Sequence, residues 1–325
     1  MIRKIFAALG CAVLGAAVML LALPLLPGQL LPHGRAETLA ATETETAPAE
    51  PADEPFDGAV TLRVLVDGAV REQTLHDYLV CVLLAEVPSG FAAEALKAQA
   101  CAARTFALRQ AGAGKHSDAD VCASAACCQG WCAPEQWPEH TAAEADGLAV
   151  VYDGQLIDAT YFSCSGGRTE AAVAVWGGEI PYLQSVPSPG EEDAPRETET
   201  LTFTAEEFRD CITPARPDAD LSGTPETWFG TVRYTAGGGI GTLELGGASF
   251  TGTELRRLLG LRSTDIEFSP QEDGVTVTTH GFGHRVGLSQ YGAEAMAQAG
   301  RRFDEILLHY YQGTEIRRLT LDGEK

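Results

Sequence analysis

Basic residues are scarce in this sequence: 23 Lys and Arg stand against 45 Asp and Glu, a formal charge of −22 at neutral pH. A deficit of that size argues against a nucleic-acid partner, whose phosphates must be neutralised by Lys and Arg. It argues equally against docking on anionic lipid, although a local basic cleft remains compatible with it. No internal repeat is present, and strands do not alternate regularly with helices, which excludes a solenoid and a doubly wound α/β sheet. A Gly-x-Ser-x-Gly elbow is also missing, so Cys164 and Ser165 in Ser163-Cys164-Ser165-Gly166-Gly167 read poorly as nucleophiles. His280 and His284 are four apart, but Gly281 and Gly283 lie between them and no Glu follows His280, which weakens a zinc-hydrolase reading. What the chain does have, over 325 residues, is 45% apolar content, 35 Gly and 17 Pro. That is enough for a core and many turns, and it points to a mixed α+β fold in one large domain, two-lobed or not.

The N-terminus reads Met1-Ile2-Arg3-Lys4, then an apolar run from Ile5 to Leu26 with no charge. About 20 apolar residues cross a bilayer's hydrocarbon core. Arg3 and Lys4 on the near side set the body outside the cytoplasm. Residues 1–27 are expected to be an uncleaved anchor; a cleaved signal peptide is the rival, and either way the body is exported. Residues 28–57, rich in Glu, Thr, Ala and Pro, are expected to form a flexible acidic linker. The domain should occupy 58–322, opening with a strand at Thr61–Val66 that ends on Asp67-Gly68. A helix should start at Thr74 as N-cap and stop near Glu86, ahead of Pro88. A second helix is expected over about 92–110. A helical segment follows near 141–146, then a hairpin of 148–152 and 156–161 around Asp153-Gly154. Further strands are expected near 231–234, 242–245 and 275–280, and two closing helices at about 290–298 and 303–311.

Several residues are equipped for chemistry. Glu86 closes an otherwise apolar helix, where partial burial and the negative end of the helix dipole both favour a protonated carboxyl. That suits a general acid; an ordinary last-turn glutamate is the competing account. Lys97 and Arg104, two turns apart, share a helix face with small neighbours, from which they can reach a cleft or simply face water. His116, Cys122, Cys127 and Cys128 supply an imidazole and three thiols within a short span, a plausible tetrahedral zinc set. Cys132 is a spare thiol there, and a Cys122–Cys132 disulfide is the alternative. The glycine-rich stretch from His280 to Ala293 brings backbone close to something, with His284, Ser289, Gln290 and Tyr291 as its polar groups.

Taken in order, the blocks Ala85-Glu86-Val87-Pro88, Glu94-Ala95-Leu96-Lys97-Ala98-Gln99-Ala100, Ala103-Arg104-Thr105 and Tyr161-Phe162-Ser163-x-Ser165-Gly166-Gly167 are more specific than any one alone. They continue in Val175-Trp176-Gly177, Pro181-Tyr182-Leu183, Gly283-His284-x-Val286-Gly287-x-Ser289-Gln290-Tyr291-Gly292-Ala293 and His309-Tyr310-Tyr311. This series resembles the stage II sporulation protein D family over nearly everything after Val60. The resemblance implies a lytic transglycosylase acting on peptidoglycan stripped of its stem peptides. Glu86 would protonate the glycosidic oxygen, then deprotonate the muramic acid 6-hydroxyl, leaving a 1,6-anhydro end. One carboxyl group suffices, unlike the two of ordinary glycosidases. Lys97, Arg104, Ser165, His284, Ser289, Gln290 and Tyr291 fall in the family's cleft motifs and are expected to touch substrate. Some members hold zinc through two His and two Cys; here His116, Cys122 and Cys128 match and Cys127 stands where a histidine would be, with Cys132 as a competitor. The resemblance further implies a single-pass membrane protein at the sporulation septum. Its partners would be a peptidoglycan amidase (stage II sporulation protein P) and a membrane scaffold (stage II sporulation protein M) during engulfment. A wall-binding, non-catalytic relative of the amidase enhancers is the alternative.

Overall fold

A computed structural model describes residues 55–133 and 145–321. The expected anchor, nearly all of the linker and most of the expected 141–146 helix lie outside these residues. No helix among the described residues is long and apolar enough to cross a membrane.

The fold is mixed α+β, in two lobes with separate cores. In the larger lobe, strand Thr61–Val66 pairs antiparallel with Ala69–Thr74 and parallel with Val121–Cys122. Asp67 and Gly68 both have positive φ, as a two-residue type I′ turn requires. Thr74 then caps the Leu75–Glu86 helix, its Oγ1 accepting the Asp77 N–H at 3.1 Å. Leu75, Tyr78, Leu79, Val80, Cys81, Val82 and Leu83 are all buried, so this helix is apolar on nearly every side and runs through the interior. Each such large side chain contributes roughly 1.5–3 kcal/mol by leaving water. Pro88 disfavours helical geometry at Val87, which turns extended at φ −130° and ends the helix on Glu86.

The second helix runs Ala93–Ala113, ending three residues later than the sequence suggests, and Gly114 terminates it in the left-handed conformation at φ +63°. Its alanines let it pack closely on the first helix, on the closing helices Gln290–Gln298 and Phe303–Tyr310, and on strand Leu148–Tyr152. That strand pairs with Glu315–Arg318 and, through the Asp153-Gly154 turn, with a partner of only two residues, Gln155–Leu156. The expected return strand therefore breaks early, and Tyr161–Phe162 pairs instead with Leu288–Ser289 in parallel. A short helix, Ala172–Trp176, sits in what sequence reads as a loop.

The smaller lobe is inserted between these parts of the body. Strands Thr198–Thr204, Gly274–His280 and Asp265–Gln271 form one antiparallel sheet, with Gly274–His280 in the middle. Phe229–Tyr234, Ile240–Leu245 and Ala248–Thr251 form another. Thr204 and Thr251 each start a helix through reciprocal capping with Glu207 and Glu254. Phe208, Trp228, Leu245, Phe250, Leu255 and Val277 belong to a core that is this lobe's own.

Arg285, fully buried, joins the lobes. Its guanidinium donates to the carbonyls of Ser165, Arg168 and Gly237 and lies 3.6 Å from Glu170 and 3.3 Å from Asp265. Glu170 in turn accepts the Gly239 N–H at 3.0 Å and the Thr235 hydroxyl at 2.6 Å. Carboxylates, carbonyls and one arginine thus pin the turn that carries His284 against the inserted lobe.

Candidate active site

Glu86 ends its helix in a cleft of about 920 Å³. Phe162, Trp176, His284, Phe282, Arg256 and Gln290 are among its other walls. The carboxyl is half-buried, and that burial pushes its pKa up. The Gly130 N–H, donated to Oε1, pulls the other way, and so does the nearby Gln290 amide. Burial is the larger influence. Gln290 Nε2 is itself buried and makes no hydrogen bond among the described residues, although it lies close enough to favour the carboxylate. It is a donor held in reserve beside the acid. Glycine at 130 lets the loop come this close: a Cβ there would sit 2.8 Å from Glu86 Oε1 and 3.2 Å from Cδ, so the carboxyl would have to shift. Asp158 also lines the cleft, but it accepts from Gln110 at 3.2 Å and faces Arg109 at 3.7 Å.

The loop that delivers Gly130 is anchored on both sides. Gln129, buried, accepts from Tyr78 at 2.9 Å and donates to Tyr161 at 2.8 Å. Just ahead of it, the ligand atoms of His116, Cys122, Cys127 and Cys128 all lie within 4.8 Å of one another. His116 Nε2 is 3.3 Å from Cys128 Sγ and 3.9 Å from Cys127 Sγ. Tetrahedral zinc with Zn–S near 2.3 Å and Zn–N near 2.0 Å spaces its ligands roughly 3.3–3.8 Å apart, so the donors fit such an ion in number, kind and spread. Cys132 stands outside this group, exposed and beside the Cys81 carbonyl. Four protein donors leave no open position, the arrangement of a structural rather than a catalytic metal.

His284 lies between the rings of Phe162 and Trp176, at 5.6 and 5.4 Å. Burial, with the adjacent Arg256 charge, drops its pKa to about 4. It is therefore neutral at physiological pH, and its Nδ1 accepts the Val286 N–H at 3.1 Å. That leaves Nε2 as the position for the proton.

The other residues expected at the substrate are not among the walls of this cleft. Arg104 is fully buried: Nε donates to Asp57 Oδ1 at 2.7 Å, Nη2 to Oδ2, and Nη1 to the Leu148 carbonyl at 3.0 Å. Asp57, which composition assigns to the linker, is 1% exposed and sits on the short Phe56–Ala59 helix, so the folded body begins before residue 58. Lys97 bonds Glu94 at 2.9 Å on its own helix and is not among the cleft's walls. Ser165 is buried, its N–H and hydroxyl both bonding Glu191, whose other oxygen is held by Ser188. Ser289 is the buried N-cap of the Gln290–Gln298 helix, accepting from Gly292 at 3.3 Å. Tyr291 packs edge-on against Phe91 at 5.2 Å. Gly130, Arg196 and Arg256 are at the cleft and carry no local sequence signal that singles them out, except that Gly130 closely follows the cysteine pair.

A family model described as stage II sporulation protein matches residues 67–152. Stage II sporulation protein D of Bacillus subtilis (strain 168) is 38% identical over 270 residues, covering 76% of this chain and 76% of its own length. The protein of that name from Bacillus amyloliquefaciens is 35% identical over 294 residues, 85% and 84% of the two chains. An amidase enhancer of Bacillus subtilis (strain 168) is 27% identical over 285 residues, which span 71% of this chain but 39% of the enhancer. With that identity over most of both chains, this protein belongs to the stage II sporulation protein D family.

Proposed function

We propose that this protein cleaves the glycan strands of peptidoglycan during sporulation, as a lytic transglycosylase acting on strands freed of stem peptides. The reading is carried by one observation: among the described residues, a single half-buried carboxyl, pushed toward its neutral form, in a cleft whose other lining carboxylate is engaged by Arg109 and Gln110. Hydrolysis with two working carboxylates is poorly served by such a site, whereas internal attack by the sugar's own 6-hydroxyl needs one. Glu86 donates its proton to the glycosidic oxygen as the bond to the muramic C1 breaks. The resulting carboxylate, steadied by the Gly130 N–H, then takes the proton from the 6-hydroxyl as that oxygen closes on C1. Neutral His284 and the Gln290 amide present hydrogen-bond donors to the sugar, and Trp176 and Phe162 offer it apolar faces.

His116, Cys122, Cys127 and Cys128 would hold a zinc ion that cross-links the loop ahead of Gly130. The apolar N-terminal run would anchor the protein in the membrane with this body outside. An amidase and a membrane scaffold of the same sporulation stage would be its partners. Incubation with stem-peptide-free glycan and mass spectrometry of the products tests the central claim. We expect 1,6-anhydromuramic ends, and a fall of about 10²–10⁴ in Glu86→Gln, the range for losing a general acid. Hydrated reducing ends instead, or cleavage undiminished in Glu86→Gln, would overturn it. Binding without cleavage by the parent protein would favour an enhancer-like role.

A further inference from the structure

Around the cleft this acidic chain gathers cations that no carboxylate among the described residues pairs with, although Lys115 also donates to the Cys127 carbonyl. Lys115, Arg196 and Arg256 all line it, against a Glu86 that burial keeps toward neutrality and an Asp158 already engaged. Arg256 is the informative one. It stands in the last turn of the Gly252–Leu258 helix of the inserted lobe, and its Nε donates to the Arg262 carbonyl at 3.1 Å. That same carbonyl accepts the Gly283 N–H at 3.0 Å. The guanidinium is thereby fixed beside the turn that carries His284, and its charge bears on that imidazole.

Two other arginines of the same lobe have counter-ions, Arg216 with Asp218 at 2.8 Å and Arg262 with Glu199 at 2.9 Å; Arg209, Arg233 and Arg257 have no ion pair among the described residues, but they do not line the cleft. Arg256 has no carboxylate within ion-pairing distance among the described residues, although it is half-buried and desolvation lowers its pKa. In a chain with almost twice as many acids as bases, this is not for want of acids. A guanidinium partly removed from water without a counter-ion is costly, and the donors of its planar fork that the Arg262 carbonyl does not use suit a carboxylate arriving from outside. The geometry of the cleft supplies the place for one.

We propose that Arg256, with Arg196 and Lys115 at the rim, receives a free carboxylate of the glycan and is the residue that selects strands carrying it. The proposal rests on the glycan reading above and deepens it. Each muramic acid bears a lactyl ether whose carboxyl is a neutral amide while a stem peptide is attached and an anion once the peptide is gone. A fixed guanidinium distinguishes those two states directly, by charge as well as by bulk. The inserted lobe, for which the sequence offers no role, then contributes specificity to a cleft whose acid belongs to the body.

Binding to the Glu86→Gln protein, which holds substrate uncut, tests this by calorimetry. The probes are peptide-free glycan strands and the same strands with their carboxyls capped as methylamides. Capping should weaken binding to the Arg256 protein about tenfold or more, the scale of a charge-assisted hydrogen bond, and added salt should narrow the gap. Adding Arg256→Gln should bring uncapped strands down to the capped affinity, with Arg256→Lys restoring part of the preference. Arg196→Gln, at an exposed position with little bearing on folding, should give a smaller loss confined to uncapped strands. Equal affinity of the Glu86→Gln protein for both strands, an Arg256→Gln loss shared equally by both, or no binding of either refutes the proposal. Binding and bond cleavage separate the two ideas: a carboxylate preference without anhydro products sinks the enzymatic reading alone, and anhydro products without that preference sink this one alone.

Discussion

Replacing Arg104 by methionine leaves a buried carboxylate without its cation. Both oxygens of Asp57 are bonded by the Arg104 guanidinium, whose third hydrogen bond goes to the Leu148 carbonyl, and the two side chains are 0% and 1% exposed. Methionine fills much of the space but offers no donor. Breaking a buried ion pair from one side costs about 3–5 kcal/mol. At about 2–4 °C per kcal/mol for a domain of roughly this size, the melting temperature should fall by about 6–20 °C. Changing Asp57→Leu in the same chain removes the stranded charge, and most of the loss should be recovered. Thermal and urea unfolding followed by circular dichroism measure this, with cleavage kinetics taken well below the transition. The kinetics matter because the helix face shared with Lys97 equally suggests a cleft role. A single variant that melts within about 2 °C of the parent while its KM for glycan rises would refute the buried-strut account and return Arg104 to the substrate.

Gly130→Ala places a Cβ against the Glu86 carboxyl and pushes that carboxyl off the backbone N–H that favours its charged form, so the pKa of Glu86 should rise further. The alkaline limb of the pH–rate profile should then move to higher pH, since the acid stays protonated longer; an unmoved limb, or one displaced to lower pH, would count against the assignment. Because the folded-state pKa of Glu86 is raised, its contribution to stability is lost as pH climbs from the ordinary glutamate range through the raised value. Glu86→Gln should flatten that part of the stability curve, which unfolding measured across pH will reveal. Elemental analysis should find about one zinc per chain, lost together with thermal stability in Cys122→Ser, as expected where closed four-ligand sites contribute folding energy. A parent protein that folds fully without metal would end that idea.

What the sequence disclosed was local. Thr74 and Pro88 bracket a helix by capping and by steric exclusion, both acting within a few residues, so Glu86 at its end was legible. The Asp-Gly turns were legible for the same reason, and so was the crowding of His116 with three cysteines. What stayed hidden depends on partners distant in sequence. Helical spacing puts Lys97 and Arg104 on one face, but it does not say that Asp57, 47 residues before Arg104 and embedded in tether-like composition, covers part of that face. Ser165 and Ser289 look like offered hydroxyls until Glu191 and the start of a helix consume them. Arg256 reads as one more charge on a short amphipathic helix, because its meaning comes from where the inserted lobe docks.

The way that lobe is attached has a consequence of its own. The chain enters it at Thr198 and leaves it at His280, and these two residues face each other in one antiparallel register pair. Two chain ends held side by side make a doorway that anything compact can fill. Between the posts, length and sequence can drift wherever the contacts to Arg285, Glu170 and Gly283 are kept, while the body keeps its acid, its helix ends and its cysteine loop in place. Relatives with the same chemistry can therefore acquire different tastes in substrate by remodelling what stands in that doorway, with no change to the helix on which Glu86 sits.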